Sequence, residues 1–342
     1  MFLSIDDQES SGMETVKHLK YGVYQRKNMG YLYAIRHGAK YIYDTDDDNH
    51  PYGGVVHFDD LETNKEYLVY ADDRPYYNPF AHFGQSTIWP RGLPLNRIAT
   101  GVARTYRKCT GVRPLVQQGV VDGDPDLDAI QRLTRKDLDT KFNVTFDKDA
   151  PPVIIPSNAF TPYNTQNTIH HYDAFFALVL PQTVTFRVND IWRGYIAQRM
   201  MWDIGGHLAY YTATAFQDRT PHDFLQDFIE EDDLYKKALP LTKILLNWKS
   251  TEPHMYTRYF ELMKVLYKEG IFGELDVKLV RSWFRDLYRI GYKFPTPLGS
   301  TMKCSKTTTT FHPVEQPSMY LRMGKKTVNV FTKDKVKVTA TL

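Results

Sequence analysis

The sequence predicts an α/β layer fold followed by a helical module, and three observations carry that reading. Residues 1 to about 220 alternate strand-like and helix-like segments. Within them the short aromatic run Tyr41-Ile42-Tyr43 breaks off into Asp44, Asp46, Asp47 and Asp48. From about Pro221 onward, apolar side chains recur with the helical period instead. A chain of 342 residues that is 42% hydrophobic and 14% aromatic can bury a substantial core, as one large domain with an appendage. Net charge is only +3 with no long basic tract, so nucleic acid is not indicated as a partner. Cys109 and Cys304 are too few for a disulfide framework and lack zinc spacing. No run approaches the length of a transmembrane helix, and Met1-Phe2-Leu3-Ser4-Ile5-Asp6 does not read as a signal peptide.

The first informative unit is Tyr24 to Gly38. Asn28 suits an N-cap, Met29, Leu32 and Ile35 recur at helical spacing, and Gly38 suits the position just past the helix. Arg26, Lys27 and the free N–H groups of this helix start would form an anion site. The strand that follows is rich in aromatic and β-branched residues, and the carboxylates at its tip repel one another unless a cation sits between them. Mg²⁺ and Mn²⁺ take one or two carboxylates and leave the rest of their shell to substrate phosphates. Asp44, Asp46 and Asp47 are therefore the candidate metal ligands, with a solvated acidic turn as the plain alternative. An EF-hand is excluded, because counting from Asp44 the sixth position is Asn49 and the twelfth Val55.

Prolines and glycines between residues 51 and 125 suggest a long loop-rich connection, the usual home of binding residues. In it, Arg91 stands between prolines and a glycine, fixed to grip a phosphate or carboxylate or paired with one of the many acids. Asp122, Asp124, Asp126 and Asp128 recur two apart, which would align them on an extended backbone, though Pro125 suits an open loop equally well. A calcium loop fails here too, since Leu127 and Leu133 take the Gly and Glu positions. Asn143-Val144-Thr145 matches a glycosylation acceptor pattern, common by chance and silent on compartment by itself. Val153-Ile154-Ile155 reads as a buried strand and Thr183-Val184-Thr185-Phe186 as another. Of His170 and His171, one is expected to line a pocket and the other to be exposed. Asp190, with Trp192 and Arg193, opens a helix that breaks at Gly205-Gly206. Capping explains that acid, and an acceptor-side acid/base role also fits.

Beyond residue 220, Phe224, Leu225, Phe228 and Ile229 keep the helical period. So do Leu262, Met263, Val265 and Leu266, and then Leu279, Val280, Trp283, Phe284, Leu287 and Tyr288, ending near Gly291. Past Pro295 the chain turns threonine- and lysine-rich (Lys306 to Thr310, Lys325 to Thr341) and reads as an irregular tail. The expected division is 1–220, 221–295 and 296–342.

Arg/Lys-Asn-x-Gly, a helix with Ala and Gly, then a strand and Asp-x-Asp-Asp resembles the nucleotide-sugar half of a GT-A glycosyltransferase. Tyr24–Gly30, Asp44–Asp48, Trp89–Leu95, Asp124–Asp128 and Asp190–Tyr195 with Gly205-Gly206 are moreover collinear with STELLO-type Golgi glycosyltransferases. They are similar, more distantly, to the reversibly glycosylated polypeptides that act as UDP-arabinopyranose mutases. The resemblance covers residues 1 to 220 and weakens towards 295. It implies a GT-A fold (a Rossmann-like mixed sheet), a UDP-sugar donor, Mn²⁺ (or Mg²⁺) and a Golgi membrane setting. By position, Asp44, Asp46 and Asp47 match the metal motif, Asp190 the late-helix carboxylate, and Arg91 the Arg-Gly segment glycosylated in the mutase-like relatives. Arg26, Lys27, Asn28, Asp126 and His170 complete the expected nucleotide-side contacts, and Asp190 and Arg91 the catalytic pair. A GT-A domain ordinarily opens with a uridine-holding strand and loop, and members of this family carry an N-terminal membrane anchor. Neither is recognisable here, so an exposed sheet edge is expected. Three functions follow: metal-dependent sugar transfer to a glycan or protein acceptor, a non-catalytic role organising other glycosyltransferases, or a UDP-sugar mutase.

Overall fold

The computed structural model describes residues 2–54, 58–61, 64–100, 105–135, 142–317, 327–331 and 337–341. In chain order the helices are α1 (Ile5–Glu9), α2 (Lys27–Arg36), α3 (Pro79–His82), α4 (Ala129–Leu133), α5 (Phe186–Trp202), α6 (Phe224–Glu230), α7 (Asp232–Asn247), α8 (Met255–Lys268) and α9 (Glu274–Arg289). The strands are β1 (Tyr41–Thr45), β2 (Asn49–Pro51), β3 (Tyr67–Tyr70), β4 (Thr105–Thr110), β5 (Pro114–Gly123), β6 (Val153–Ile155), β7 (Asn167–His171), β8 (His207–Gln217), β9 (Lys303–Cys304), β10 (Thr309–Thr310), β11 (Thr327–Phe331) and β12 (Lys337–Thr341).

One mixed sheet organises the chain in the order β1-β7-β5-β8-β6-β3-β4-β10, with β2 added to β8 and β9 to β4. β5 and β8 run parallel, as do β3 and β6, and β1, β5 and β7 alternate antiparallel. This is the mixed α/β sheet expected of a GT-A-like domain. Among the described residues β1 has one strand neighbour, β7. β11 and β12 form a separate two-stranded ribbon.

The direction of the strands decides where a site can form. Asp44 pairs with Thr168 and Gln118 with the same Thr168, while Gly123 pairs with Gln217. The carboxyl ends of β1, β5 and β8 therefore emerge side by side, the edge at which open α/β sheets bind ligands. β5 is buried along its whole length, which requires cover on both faces. Helices supply it on one face. Leu32 of α2, Trp192 of α5, Leu241 of α7, Leu262 of α8 and Trp283 of α9 share one hydrophobic cluster with Val116. The change at residue 221 is thus one of secondary structure, and the core runs through it. A smaller cluster of Tyr67, Val69, Cys109, Ile154, Ala209 and Tyr211 packs separately on β3, β4, β6 and β8.

Several expectations are corrected. The supposed loop-rich connection over 51–125 contains β3, β4 and the central strand β5, whose Gln117 and Gln118 hide the apolar run that flanks them. Thr183–Phe186 is no strand. Asp276 of α9 accepts from the Thr183 backbone N–H at 3.1 Å and from the Gln182 N–H, and Thr185 is the N-cap of α5. Asn28 lies inside α2 rather than capping it. The helix does end as expected, since Ala39 N–H bonds Ala34 O at 3.1 Å and Gly38 N–H bonds Ile35 O at 3.0 Å around a left-handed Gly38. The tail is not loose between 298 and 317: β9 and β10 pair with β4, Gln316 N–H bonds Gly84 O at 2.8 Å, and Cys304 forms a disulfide with Cys109. Residues 318–326, 332–336 and 342 of that expected tail lie outside the described residues. No helix among the described residues is long and apolar enough to cross a membrane.

Candidate functional site

The carboxyl ends of β1, β5 and β8 open onto a cavity of about 440 Å³. Asp46, Asp47 and Asp48, then Arg91, Asp126 and Asp190, then Arg187, Arg219 and His222 line it, and the 217–220 segment lies against Asp48 through Gln217 Nε2 and the Asp218 and Thr220 N–H groups. Three close approaches shape it. A Cβ on Gly123, where φ is +85°, would stand 2.6 Å from Gln217 O, so β5 and β8 can end in contact only with glycine there. A Cβ on Gly194 of α5 would stand 2.6 Å from Tyr163 O, so the 161–166 segment lies directly on the helix. That segment delivers Asn164, Thr165 and Gln166 to the cavity. Gly92, with φ of +90°, turns tightly against Ile191 and fixes Arg91 over α5.

Arg91 is 5% exposed and grips carboxylates on two sides. Its Nε donates to both Asp126 oxygens at 2.9 and 3.1 Å, and an Nη donates to Asp190 Oδ2 at 3.1 Å. Burial works against the Arg91 charge, but Asp126 and Asp190 more than restore it and hold its pKa well above the ordinary value. Burial likewise raises the Asp126 carboxyl, and Arg91 outweighs that, leaving it below the usual range. Asn164 Nδ2 donates to Asp126 Oδ2 at 2.7 Å. Asp190 sits in the second turn of α5, where Thr165 Oγ1 approaches its Oδ2 at 3.5 Å, so helix capping does not explain it. Of the Asp122–Asp128 series, each acid has its own task. Asp122 accepts from Tyr52 and Phe146 N–H, Asp124 pairs with Arg132 at 2.8 Å, and Asp128 caps α4.

Burial pushes the Asp46 carboxyl up to about 7; Lys27 opposes this while Asp126 and Asp190 reinforce it. Asp48 is braced by Gln217 Nε2 at 2.8 Å. Arg219, at the end of β8, meets Asp124 at 3.4 Å and Gln217 Oε1 at 3.4 Å, which leaves most of its five N–H donors uncommitted. Burial and then Arg132 pull its pKa down to about 10, against the attraction of Asp124 and Asp126.

Asp46, Asp47, Arg91, Asp126 and Asp190 thus meet around one cavity, and the other expected residues do not. Asp44 is 1% exposed and does not line the cavity; Tyr31 Oη donates to it at 2.5 Å and Lys27 and Arg193 pair with it. It is committed to those partners and does not join Asp46 and Asp47. Lys27, expected at a phosphate, is spent on Asp44 and donates to Tyr24 Oη at 3.0 Å. Arg26 faces Gln8 Oε1 at 2.8 Å and the Tyr21 ring. Asn28 clamps Leu180, accepting from its N–H at 2.8 Å and donating to its C=O at 3.0 Å. His170 and His171 are both buried, on opposite faces of β7. Burial and then Arg193 hold His170 well below its ordinary pKa, away from the cavity. Sequence reading missed Tyr24, Asn164, Thr165, Gln166, Arg187, Gln217, Arg219 and His222 as lining residues. Only Arg219 carried a signal, as a cation just past a strand end.

Among the described residues no three His, Cys, Asp or Glu side chains converge to hold a metal unaided. The donors present fit a hard divalent ion that brings its own phosphate ligands, since Asp46 and Asp47 offer carboxylate oxygens and Asp46 lies in a site that disfavours its charge without a cation.

Residues 187–318 match the family described as STELLO glycosyltransferases. The chain is 37% identical over 307 residues to "Probable glycosyltransferase STELLO1" of Arabidopsis thaliana, covering 86% of this chain and 39% of that protein. It is 34% identical over 339 residues to "Probable glycosyltransferase STELLO2" of the same plant, covering 94% of this chain and 44% of the relative. The chain spans less than half the length of either relative.

Proposed function

This chain belongs to the STELLO family, and on that premise we propose that its cavity binds a UDP-sugar with Mn²⁺ (or Mg²⁺) and transfers the sugar to a glycan or protein acceptor. The observation that carries the reading is that one cavity is lined by the acidic run Asp46 and Asp47, by the donor-rich Arg219 and by the carboxylate of Asp190. Asp46 and Asp47 would hold the cation, which when bound supplies Lewis-acid stabilisation of the leaving diphosphate. Arg219 offers its spare N–H groups to the phosphates, replacing Arg26 and Lys27 in that role. Asp190 takes the proton of the acceptor hydroxyl, oriented by Arg91 and Thr165. The disulfide between Cys109 and Cys304 supports an oxidising compartment, in keeping with a Golgi setting.

One observation favours the second reading, a non-catalytic partner of other glycosyltransferases. Asp126 and Asp190 are both already paired with Arg91, so neither is an idle base. The same pairing weighs against mutase chemistry at Arg91, whose guanidinium is enclosed by its partners.

Calorimetry with UDP, with and without Mn²⁺, tests the reading. Each ligand is expected to strengthen binding of the other, and Asp46→Asn to weaken both. Asp190→Asn is expected to keep UDP and Mn²⁺ affinity while abolishing sugar transfer or UDP-sugar hydrolysis, because Asn retains the shape but takes no proton. Metal-independent UDP binding that Asp46→Asn leaves unchanged would sink the metal-centred reading. Full turnover in Asp190→Asn would remove Asp190 from the chemistry.

A further inference from the structure

We propose that Asn143 is an N-glycosylation site, a modification that rests on the secretory placement inferred above. The acceptor pattern Asn143-Val144-Thr145 is weak as a pattern, but the fold presents it in a usable form. Val144 forms an antiparallel bridge with Gly123, with N–H···O distances of 2.7 and 2.9 Å, so the local backbone is extended. In extended chain, residues two apart share a face. Phe142, Val144 and Phe146 accordingly point inwards, at 9%, 2% and 2% exposure, while Asn143 is exposed and Thr145 half-buried on the opposite face. The acceptor amide and the hydroxyl that the pattern requires therefore stand on one side of the strand.

The inward residues anchor this arrangement. Phe142 lies under the guanidinium groups of Arg135 and Arg132, at 4.1 and 4.9 Å, and Phe146 packs on Phe80 at 5.2 Å. Asn143 is exposed and takes part in neither of these packing contacts, so a glycan on it leaves both in place. The secretory placement rests on the oxidised pair Cys109 and Cys304, which fits an oxidising compartment of the kind in which such transfer takes place.

The donor is an oligosaccharide on a polyprenyl pyrophosphate. The amide nitrogen of Asn143 forms a bond to C1 of the first sugar, and the bond from C1 to the pyrophosphate oxygen breaks. The lipid pyrophosphate leaves with that electron pair, and the amide gives one proton to the transferring enzyme.

The test is peptide mass spectrometry on the full chain recovered from its own cells, before and after a glycan-removing amidase in isotopically heavy water. The expected result is conversion of Asn143 to heavy-oxygen aspartate. Thr145→Ser is expected to keep the modification, and Thr145→Ala and Asn143→Gln to lose it with a faster gel mobility. An unmodified Asn143 in protein whose Cys109–Cys304 bond is oxidised would overturn the proposal alone. An unmodified Asn143 with both cysteines reduced would overturn it together with the secretory placement.

Discussion

Arg91 joins pieces of chain that lie 35 and 99 residues away in sequence, and its chemistry is set by what it meets there. The sequence showed a fixed arginine among prolines and glycine. It did not show which acids would reach it, because partners at that separation are chosen by the packing of β5 and α5. The same limit explains Asp44 and Lys27: the residues stood out, but their mutual neutralisation depends on how α2 lies on β1. A substitution measures what Arg91 contributes. Arg91→Met leaves Asp126 and Asp190 buried without a cation, so a loss of about 3–5 kcal/mol is expected at neutral pH in chemical denaturation. The pH dependence has a definite sign. In the wild type Arg91 holds the Asp126 carboxyl below its ordinary range. That stabilisation is present above the unfolded value of about 3.9 and is lost as pH falls towards the folded one. In Arg91→Met the largest influence lowering Asp126 is removed, Arg187 and Arg219 remaining, and burial raises its carboxyl, so stability should increase as pH falls from about 7 to about 5. A variant that loses stability on acidification in that range would show that Arg91 does not govern these carboxylates.

At the scale of elements, legibility followed local signal. α2 with its Gly38 ending, β1, β6, the body of α5 with its break at Gly205, α6, α8 and α9 all announce themselves by period or by turn residues, whereas the start of α5 reads as a strand and β8 only as an aromatic run. α7 does so less, since Pro240 interrupts it. β5 was lost because its glutamines and flanking Pro114 and Gly123 resemble a linker, although both glutamines are buried with partners of their own. The 298–317 strap was lost for a different reason. Its composition is that of a tail, and its order comes from outside: from Lys108 C=O, which accepts Ser305 N–H at 2.9 Å, and from Cys109. The disulfide closes a stretch of 195 residues. Loop-closure entropy alone would give such a bond about 5 kcal/mol, and disulfides typically contribute about 2–4 kcal/mol. Cys304→Ser should therefore lower unfolding stability by that order in urea titrations and open the strap to limited proteolysis. The sheet order should remain, because β3, itself paired with β6, holds β4 without it. Equal protease resistance in the two proteins would mean that backbone pairing alone secures the strap.

For the whole molecule, function depends on an arrangement no single segment contains. β1, β5 and β8 are far apart in sequence, yet their carboxyl ends meet, and the 161–166 segment is pressed among them by α5. The acidic motif was visible in the sequence because it is contiguous. The basic part of the cavity lining was not, because Arg187, Arg219 and His222 come from α5 and from the turn after β8. If the proposed ligand occupies this cavity, its effects should appear in all of these segments at once. Hydrogen exchange with UDP and Mn²⁺ is expected to slow together at Asp46–Asp48, at Asn164–Gln166 and at Gln217–His222. Protection in the outer helices α8 and α9 should change only as far as global stability rises. That rise is set by mass action, about 2.7 kcal/mol at a ligand concentration one hundred times Kd. Arg219→Gln should reduce the protection by UDP while leaving that by uridine unchanged, since uridine carries no charge for Arg219 to meet. Protection confined to Asp46–Asp48 would place the nucleotide outside the cavity and detach Arg219 from the donor site.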